Sequence, residues 1–227
     1  MTANLAQAYA ENGYIVVRNL FNEQEVGKYK EEARKVIDEK QNLGKVGNEG
    51  VYVGMAIASP VFKEAAGHPA LAEALKAIIG NDVVFLSDKI VYKDAAKDFG
   101  SPWHQDHAYW FGSNKVSVWI PLDDATPENG CLRIVPGSHL LGTAHHGGDS
   151  SDGLGFINRL NAEEIEAMNV VDMPVSRGDA IIFHDLLYHA SYPNTSGRDR
   201  WALISTYKDG TKEDPAYSWA GAAFKLS

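Results

Sequence analysis

A mainly β fold with flanking helices is predicted by two sequence patterns that divide the 227 residues. Helical spacing of apolar residues dominates to about residue 80, and short β-type segments separated by turn-forming residues dominate from about 81 to 210. Strands do not alternate with long helices, which argues against a parallel α/β sheet. The pattern favours a sandwich or jelly roll buttressed by N-terminal helices. This length is ordinary for a single β sandwich or barrel, and no internal repeat or low-complexity tract is visible, so we expect one domain over residues 1–227.

Two amphipathic helices are predicted in the N-terminal part. Asn22 can cap the first, with Glu25 at its third position, and apolar residues follow at three- and four-residue spacing. The second is expected to begin at Pro69, a favourable first-turn residue, and to end at Gly80. Residues 41–59 between them contain glycines and show no clear period, so we expect a loop or lid beside a site.

Six later segments have the composition of strands. They are rich in β-branched and aromatic residues and are bounded by glycine, proline, asparagine or aspartate. They comprise residues 83–93, 116–122, 132–135, 170–173, 180–183 and 201–207.

Composition and charge exclude several classes of function. The formal net charge is −9, without a block of lysines or arginines, which disfavours nucleic acid and anionic membranes as partners. No run approaches the ~18 apolar residues of a membrane span. The single cysteine, Cys131, cannot form an internal disulfide, and no secretory pattern opens the chain, so we expect a cytoplasmic protein. A small-molecule substrate is the expected partner, and the sequence leaves the oligomeric state open.

The segment Trp103-His-Gln-Asp106 predicts a metal site. On an extended strand the side-chain period is two, so His104 and Asp106 would project to the same face. A third ligand is expected from residues 178–189, which contain His184 and His189. Two histidines and one carboxylate leave three positions open on an octahedral ion, as in the facial triad of oxygen-activating non-haem Fe(II) enzymes.

Electrostatics extend this hypothesis to a co-substrate. Iron(II) with two neutral imidazoles and one carboxylate has a net charge of about +1 and can accept a bidentate 2-keto acid. The distant carboxylate of that acid needs its own counter-charge, and a guanidinium binds a carboxylate through paired hydrogen bonds. Arg200 is the expected partner, and Arg198 is the alternative if the strand register differs by two residues.

The chain resembles the phytanoyl-CoA dioxygenase-like family of Fe(II)/2-oxoglutarate oxygenases. The resemblance covers nearly the whole sequence and is carried by residues 9–17, 103–106, 128–139 and 189–200. The interval of eleven residues between His189 and Arg200 matches the family's spacing between its distal iron histidine and its 2-oxoglutarate arginine. The resemblance therefore favours His189 over His184 and Arg200 over Arg198.

The resemblance also implies a fold and further site residues. It implies a double-stranded β-helix, a cupin-like jelly roll, with His104, Asp106 and His189 holding Fe(II) at its open mouth. Lys89 and Trp119 fall at positions where the family contacts 2-oxoglutarate, although each could equally be a strand or core residue. Ser191 is a further candidate hydrogen-bond donor to 2-oxoglutarate. Ala190 departs from the glycine that usually follows the distal histidine.

The expected reaction is a hydroxylation. The resemblance implies that O₂ and 2-oxoglutarate are consumed and that succinate and CO₂ are released, while the presence of Asp106 argues against halogenation. Aromatic residues near the triad and in the expected lid suggest a pocket for a small or medium-sized organic substrate, although each could belong to the core. These pocket candidates are Tyr52, Met55, Trp103, His107, Tyr109 and Trp110.

Two other classes of function remain open from the sequence. A cupin using His104, His107 and His189 would bind a metal without a 2-keto acid and catalyse a non-oxidative reaction. A catalytically silent member of the same fold would act as a binding protein.

Overall fold

The computed structural model describes residues 2–39, 44–45, 50–147 and 154–227. Within these ranges the α-helices are α1 Thr2–Asn12, α2 Glu23–Asp38, α3 Met55–Ala58, α4 Pro60–Ala66, α5 Pro69–Ile79 and α6 Ala162–Glu166. The strands are β1 Tyr14–Val17, β2 Gly44–Lys45, β3 Val51–Val53, β4 Val83–Lys93, β5 Ser101–His104, β6 Lys115–Pro121, β7 Leu132–Ile134, β8 Val171–Met173, β9 Ala180–His184, β10 His189–Ser191, β11 Arg200–Asp209 and β12 Phe224–Lys225. In that part of the chain, no helix is long and apolar enough to cross a membrane.

The strands form two antiparallel sheets. The larger sheet has the order β1-β9-β6-β11-β4-β3-β2, with β12 also paired to β4. The smaller sheet has the order β5-β10-β7-β8. The strands of the two sheets are interleaved in the sequence. The strands of the smaller sheet, β5, β7, β8 and β10, each fall between strands of the larger sheet in chain order.

The larger sheet packs against other elements on both of its faces, and alternate side chains along its strands contribute to two different apolar clusters. Val118 and Ile182 belong to the apolar cluster that includes the buried faces of α2 and α5. Their neighbours Trp119 and Ile181 belong to a second cluster with residues of the smaller sheet, including Leu132. Successive strand residues point to opposite faces, so one sheet serves two cores. The helices therefore cover its outer face and leave its inner face for a site.

Most of the predicted elements are confirmed. Asn22 forms the expected capping box with Glu25 at the start of α2, and α5 begins at Pro69 and stops before Gly80, whose φ is +96°. The strand predicted over residues 83–93 has the same bounds as β4. The other five predicted strands differ from the observed ones by one or two residues at an end.

The expectation of a loop over residues 41–59 is wrong for most of the residues that can be compared, although the segment does border the cavity described below. Residues 41–43 and 46–49 lie outside the described residues. Val51–Val53 instead pairs with the edge of β4, and Met55–Ala58 forms a helical turn. Short segments like these have too few residues to show a period, and pairing with a preformed strand edge decides their conformation. Three strands before residue 80 thus join the larger sheet.

Gly178 anchors the segment between β1 and α2. Its carbonyl oxygen accepts a hydrogen bond of 2.9 Å from the backbone N–H of Phe21. Its φ is +83°, and a Cβ at this position would lie 2.3 Å from the carbonyl oxygen of Phe21. The next residue, Asp179, accepts hydrogen bonds from the Arg18 side chain and the Asn19 backbone at 2.7 and 2.9 Å. A residue without a side chain is therefore required at 178.

We expect Gly178→Ala to lower the free energy of unfolding by ~2 kcal/mol or more, because it adds a steric clash to an unfavourable left-handed conformation. Gly27→Ala is the matched control, since Gly27 lies inside α2 and an added Cβ would meet no atom within 4 Å. In the control, the free energy of unfolding should rise by ~0.5–1 kcal/mol because alanine has a better helix propensity than glycine. Urea unfolding measures both changes, and a loss of equal size in the two variants would contradict the argument.

Candidate metal centre

His104, Asp106 and His189 converge at one point between the sheets. The Cα atoms of His104 and His189 are paired across β5 and β10, and their ring centroids lie 4.1 Å apart. One carboxylate oxygen of Asp106, Oδ1, lies 3.6 Å from Nε2 of His104 and 3.7 Å from Nε2 of His189. One ligand atom from each residue lies within 4.8 Å of the other two. The three side chains expected from the sequence are thus brought together.

The backbone after β5 explains why His104 and Asp106 share a face. The strand ends at His104, earlier than expected, and Asp106 begins a 3₁₀ turn that runs to Tyr109. Gln105 between them is still extended, with φ −116° and ψ 132°, so the two-residue alternation continues. The buried Gln105 side chain donates to the carbonyl oxygens of Gly142 and Leu186 at 2.9 and 2.7 Å.

Hydrogen bonds behind the three side chains orient their ligand atoms. Nδ1 of His104 lies 2.8 Å from the carbonyl oxygen of Pro102, and Nδ1 of His189 lies 2.9 Å from that of Leu187. A neutral imidazole that donates through Nδ1 has its lone pair on Nε2, which here faces Asp106. The Ser117 hydroxyl donates to Oδ2 of Asp106 at 2.6 Å and leaves Oδ1 facing the imidazoles.

The protonation states suit a cation. Burial alone would raise the pKa of Asp106, but the charges of His189 and His104 outweigh it and hold that pKa well below its usual range. Burial, and then the charge of His104, lower the pKa of His189 to about 4. At neutral pH the pair is a carboxylate with a neutral imidazole, as metal binding requires. An ion ~2.1 Å from each donor fits between atoms 3.6 to 3.7 Å apart, so these residues fit a divalent metal.

The three side chains line a cavity of about 570 Å³ that also contains Arg200. Arg200 is 1% exposed, and its guanidinium donates to the carbonyl oxygens of Asn129 and Gly130 at 3.3 and 3.2 Å. Its Nη1 is buried without a hydrogen-bond partner among the described residues. Burial lowers the pKa of Arg200 to about 10, which still leaves it charged at neutral pH. A buried guanidinium with a free donor fits a carboxylate.

The other residues that the sequence predicts to contact 2-oxoglutarate also line this cavity. The Trp119 ring lies under the guanidinium, 5.5 Å from the Cζ atom of Arg200. Lys89 and Ser191 line the cavity as well, and the charge of Lys89 contributes to the lowered pKa of Asp106. Arg198, the alternative to Arg200, is exposed.

Two of the six expected substrate-pocket residues line the cavity, namely Tyr109 and Trp110. Strand alternation explains two of the four that do not. Trp103 precedes His104 on β5 and points the other way, where its indole donates to Glu166 at 2.9 Å. Tyr52 lies between Val51 and Val53, which line the cavity, and packs against the outer core.

The remaining two pocket candidates, Met55 and His107, contact other parts of the protein and do not line the cavity. Met55 is fully buried in the core between the larger sheet and the helices. Nδ1 of His107 lies 3.1 Å from the carboxylate of Asp185, which is 0% exposed and also lies 3.1 Å from Nδ1 of His184. Both histidines are therefore engaged away from the triad. This arrangement argues against a ligand set of His104, His107 and His189.

Several residues of the site had no signal in the sequence. Phe156 packs on His104 with ring centroids 4.6 Å apart, and Trp219 stacks near Trp110 at 5.9 Å. Both line the cavity from segments far along the chain. Ser117 lies within a predicted strand, but only the tertiary pairing reveals its contact with Asp106.

Comparison with known proteins identifies related sequences. The family model described as Phytanoyl-CoA dioxygenase (PhyH) matches residues 9–202. L-proline trans-4-hydroxylase of Streptomyces griseoviridis is 31% identical over 159 residues, which cover 61% of this chain and 59% of that protein. Phytanoyl-CoA dioxygenase domain-containing protein 1 of Danio rerio is 27% identical over 183 residues, covering 78% and 60%. The chain spans about three fifths of the length of these relatives.

A solved structure shares the fold. The epimerase SnoN, in complex with Fe³⁺, alpha ketoglutarate and nogalamycin RO, aligns with a TM-score of 0.80 at 23% identity, covering 95% of this chain and 86% of that one. Similarity at this level of identity shows the fold alone. The predicted jelly roll with flanking helices is confirmed.

We expect Ser117→Ala to weaken metal binding by about 10- to 100-fold, because Asp106 loses the hydrogen bond that directs Oδ1 towards the imidazoles. Calorimetric titration with Mn²⁺ measures this change. Ser138→Ala is the control, since Ser138 is also a buried serine but its hydroxyl accepts from the backbone of Tyr188. Equal losses of metal affinity in the two variants would contradict a specific role for Ser117.

Proposed function

Since the chain belongs to the phytanoyl-CoA dioxygenase (PhyH) family, we propose that it is an Fe(II)- and 2-oxoglutarate-dependent dioxygenase. One observation carries the proposal. The His104, Asp106 and His189 cluster shares a cavity with the buried guanidinium of Arg200, which has one donor without a partner among the described residues. A keto acid that chelates a metal and carries a second carboxylate requires both a metal site and a carboxylate site in the same cavity.

The proposed roles follow from the contacts. His104, Asp106 and His189 hold Fe(II), and Arg200 binds the distant carboxylate of 2-oxoglutarate. Bound iron would supply the activation of O₂ coupled to decarboxylation of 2-oxoglutarate to succinate and CO₂.

The chain's own residues orient the co-substrate and limit the access of water. Trp119 supports the guanidinium from below, Lys89 adds positive charge beside the triad, and Ser191 offers a hydroxyl to the co-substrate. The triad histidines are only 5% and 4% exposed. Burial of this kind strengthens the electrostatic interactions inside the site.

The proposed reaction is hydroxylation of a small or medium-sized organic metabolite. A volume of about 570 Å³ lies within the usual range for small-molecule sites. The cavity wall near the triad is formed by aromatic residues, including Tyr109, Trp110, Phe156 and Trp219. A wall of this kind suits the apolar face of an organic molecule.

We also propose that residues 1–227 form one domain and work in a reducing compartment such as the cytoplasm. In support of one domain, β1 and β3 from the N-terminal part pair with β9 and β4 of the same sheet. In support of the compartment, the single cysteine, Cys131, is a buried free thiol.

The first test is the weak visible charge-transfer band that Fe(II) and 2-oxoglutarate give when they form a chelate under anaerobic conditions. We expect the wild-type protein to show this band and His104→Ala and Asp106→Ala each to lose it, because either change removes a ligand. Iron binding measured in the same samples should fall as well. Full iron binding in both variants would show that the ligands are assigned incorrectly.

The second test concerns the arginine. Arg200→Met should raise the KM for 2-oxoglutarate by at least about 10-fold while Fe(II) affinity stays unchanged, because only the counter-charge for the distant carboxylate is lost. Arg198→Met is the matched control, since Arg198 is exposed two residues away. Succinate release reports the KM once a substrate is found, and uncoupled 2-oxoglutarate turnover reports it before then. A larger effect at 198 than at 200 would reverse the assignment.

A further inference from the structure

Lys93 is a second buried basic side chain, next to Arg200. Its Cα is paired with that of Arg200 across β4 and β11, so the two side chains leave the sheet side by side. Lys93 is 0% exposed and Arg200 1%. A lysine is seldom fully buried unless it is paired with a charge or serves a function.

No acidic side chain in the described part of the chain bonds to Lys93 or to Arg200. The ammonium of Lys93 donates to the Ser191 hydroxyl at 3.0 Å and to the carbonyl oxygen of Tyr192 at 2.7 Å. Asp123 influences Arg200, but its two oxygens are bonded to Lys30 and to the backbone of Trp201.

Neighbouring groups supply no negative charge beside Arg200 and Lys93. Burial raises the pKa of the Cys131 thiol to about 11, so that neighbour is neutral. Burial, and then the charge of Arg200, lower the pKa of Lys93 to about 6, so its amine is largely uncharged at neutral pH while no anion is bound. Lys93 therefore contributes a hydrogen-bond donor here, and Arg200 contributes the positive charge.

The hydrogen bonds of Ser191 determine where its proton points. A hydroxyl has one donor and two acceptor positions. The Ser191 oxygen accepts from the ammonium of Lys93 and from the backbone N–H of Ser101, both at 3.0 Å. Both acceptor positions are thus occupied, and the remaining proton is free to donate. Ser191 lines the cavity, which gives that proton an acceptor only when a ligand is present.

We propose that Lys93 is a positioning residue for the distant carboxylate of 2-oxoglutarate. By donating to the Ser191 oxygen, it holds the Ser191 hydroxyl in the orientation that donates into the cavity beside Arg200. This inference rests on the proposed function and deepens it, because it assigns a residue that the sequence had not suggested. Lys93 lies four residues after Lys89 on β4, on the same side of the strand.

The experiment compares two keto acids on the Mn²⁺-loaded protein by isothermal titration calorimetry. Both 2-oxoglutarate and pyruvate can chelate the metal, but pyruvate lacks the second carboxylate. Lys93→Met removes the donor to Ser191 while keeping most of the volume of the side chain. We expect the Kd for 2-oxoglutarate to rise about 10-fold or more and the Kd for pyruvate to stay within about 2-fold of wild type.

A double-mutant cycle tests whether Lys93 acts through Ser191. Ser191→Ala should weaken 2-oxoglutarate binding and leave pyruvate binding unchanged. The Lys93→Met/Ser191→Ala double variant should lose clearly less than the product of the two single effects, because each change disables the same hydroxyl. Fully multiplicative losses would overturn action through Ser191. The Ser191→Ala result also stands by itself if Lys93→Met does not fold.

Stability separates this role from a structural one. If Lys93 serves a ligand, its removal takes away a buried amine that has no acidic partner among the described residues, and the Tm of the metal-loaded protein without 2-oxoglutarate should stay at or above that of wild type. A lower Tm with equal weakening of both keto acids would mean that Lys93 only holds the strands together. That result would overturn the proposal.

A control for net charge is Lys28→Met, because Lys28 is half exposed and pairs with Glu64 on the surface. It should bind both keto acids like wild type. If the wild-type protein binds Mn²⁺ but no 2-oxoglutarate, the proposed function itself fails. If wild type binds 2-oxoglutarate and Lys93→Met binds it equally well, the proposed function stands and only the role of Lys93 is refuted.

Discussion

The antiparallel pairing of β5 with β10 is the constraint on which the site depends. It sets the Cα atoms of His104 and His189 opposite each other, 85 positions apart in the chain, and brings their rings to 4.1 Å. Extended backbone at Gln105 then carries Asp106 to the same face. A register shift of one residue would turn a histidine to the other side of the sheet. The ligand cluster thus follows from sheet register and needs no special backbone strain.

Charge is arranged in opposite senses at the two ends of the cavity. The triad contributes a carboxylate whose pKa is held low, together with the neutral imidazole of His189. The far end contributes Arg200 and Lys93, both buried and without an acidic partner among the residues described. A cation at the first end and a carboxylate at the second would each cancel a local imbalance. The cavity is therefore suited to a molecule that chelates a metal and carries one further negative group.

The wall near the triad is held by a buried carboxylate that takes no part in metal binding. Asp185 accepts from the indole of Trp110 at 2.9 Å and from the backbone of Lys115 at 2.9 Å, and it contacts His107 and His184. These bonds fix the 3₁₀ turn that begins at the metal cluster. They also explain why two histidines near the site in sequence are unavailable to a metal.

The sequence alone determined the helix caps, the bounds of β4, the jelly-roll class and the segment containing His104 and Asp106, because each depends on local spacing or on a motif within a few residues. Spacing by itself left His184 and His189 as rivals, between which only the family resemblance chose His189, and the sequence placed Trp103 and Met55 near the substrate. Tertiary structure decided these points, because strand alternation turns Trp103 outward and sheet pairing sets only His189 opposite His104. The contacts of Ser117 and Lys93 also emerged only there. A hydrogen bond between distant strands depends on register and burial, and neither is encoded in the spacing of a single segment.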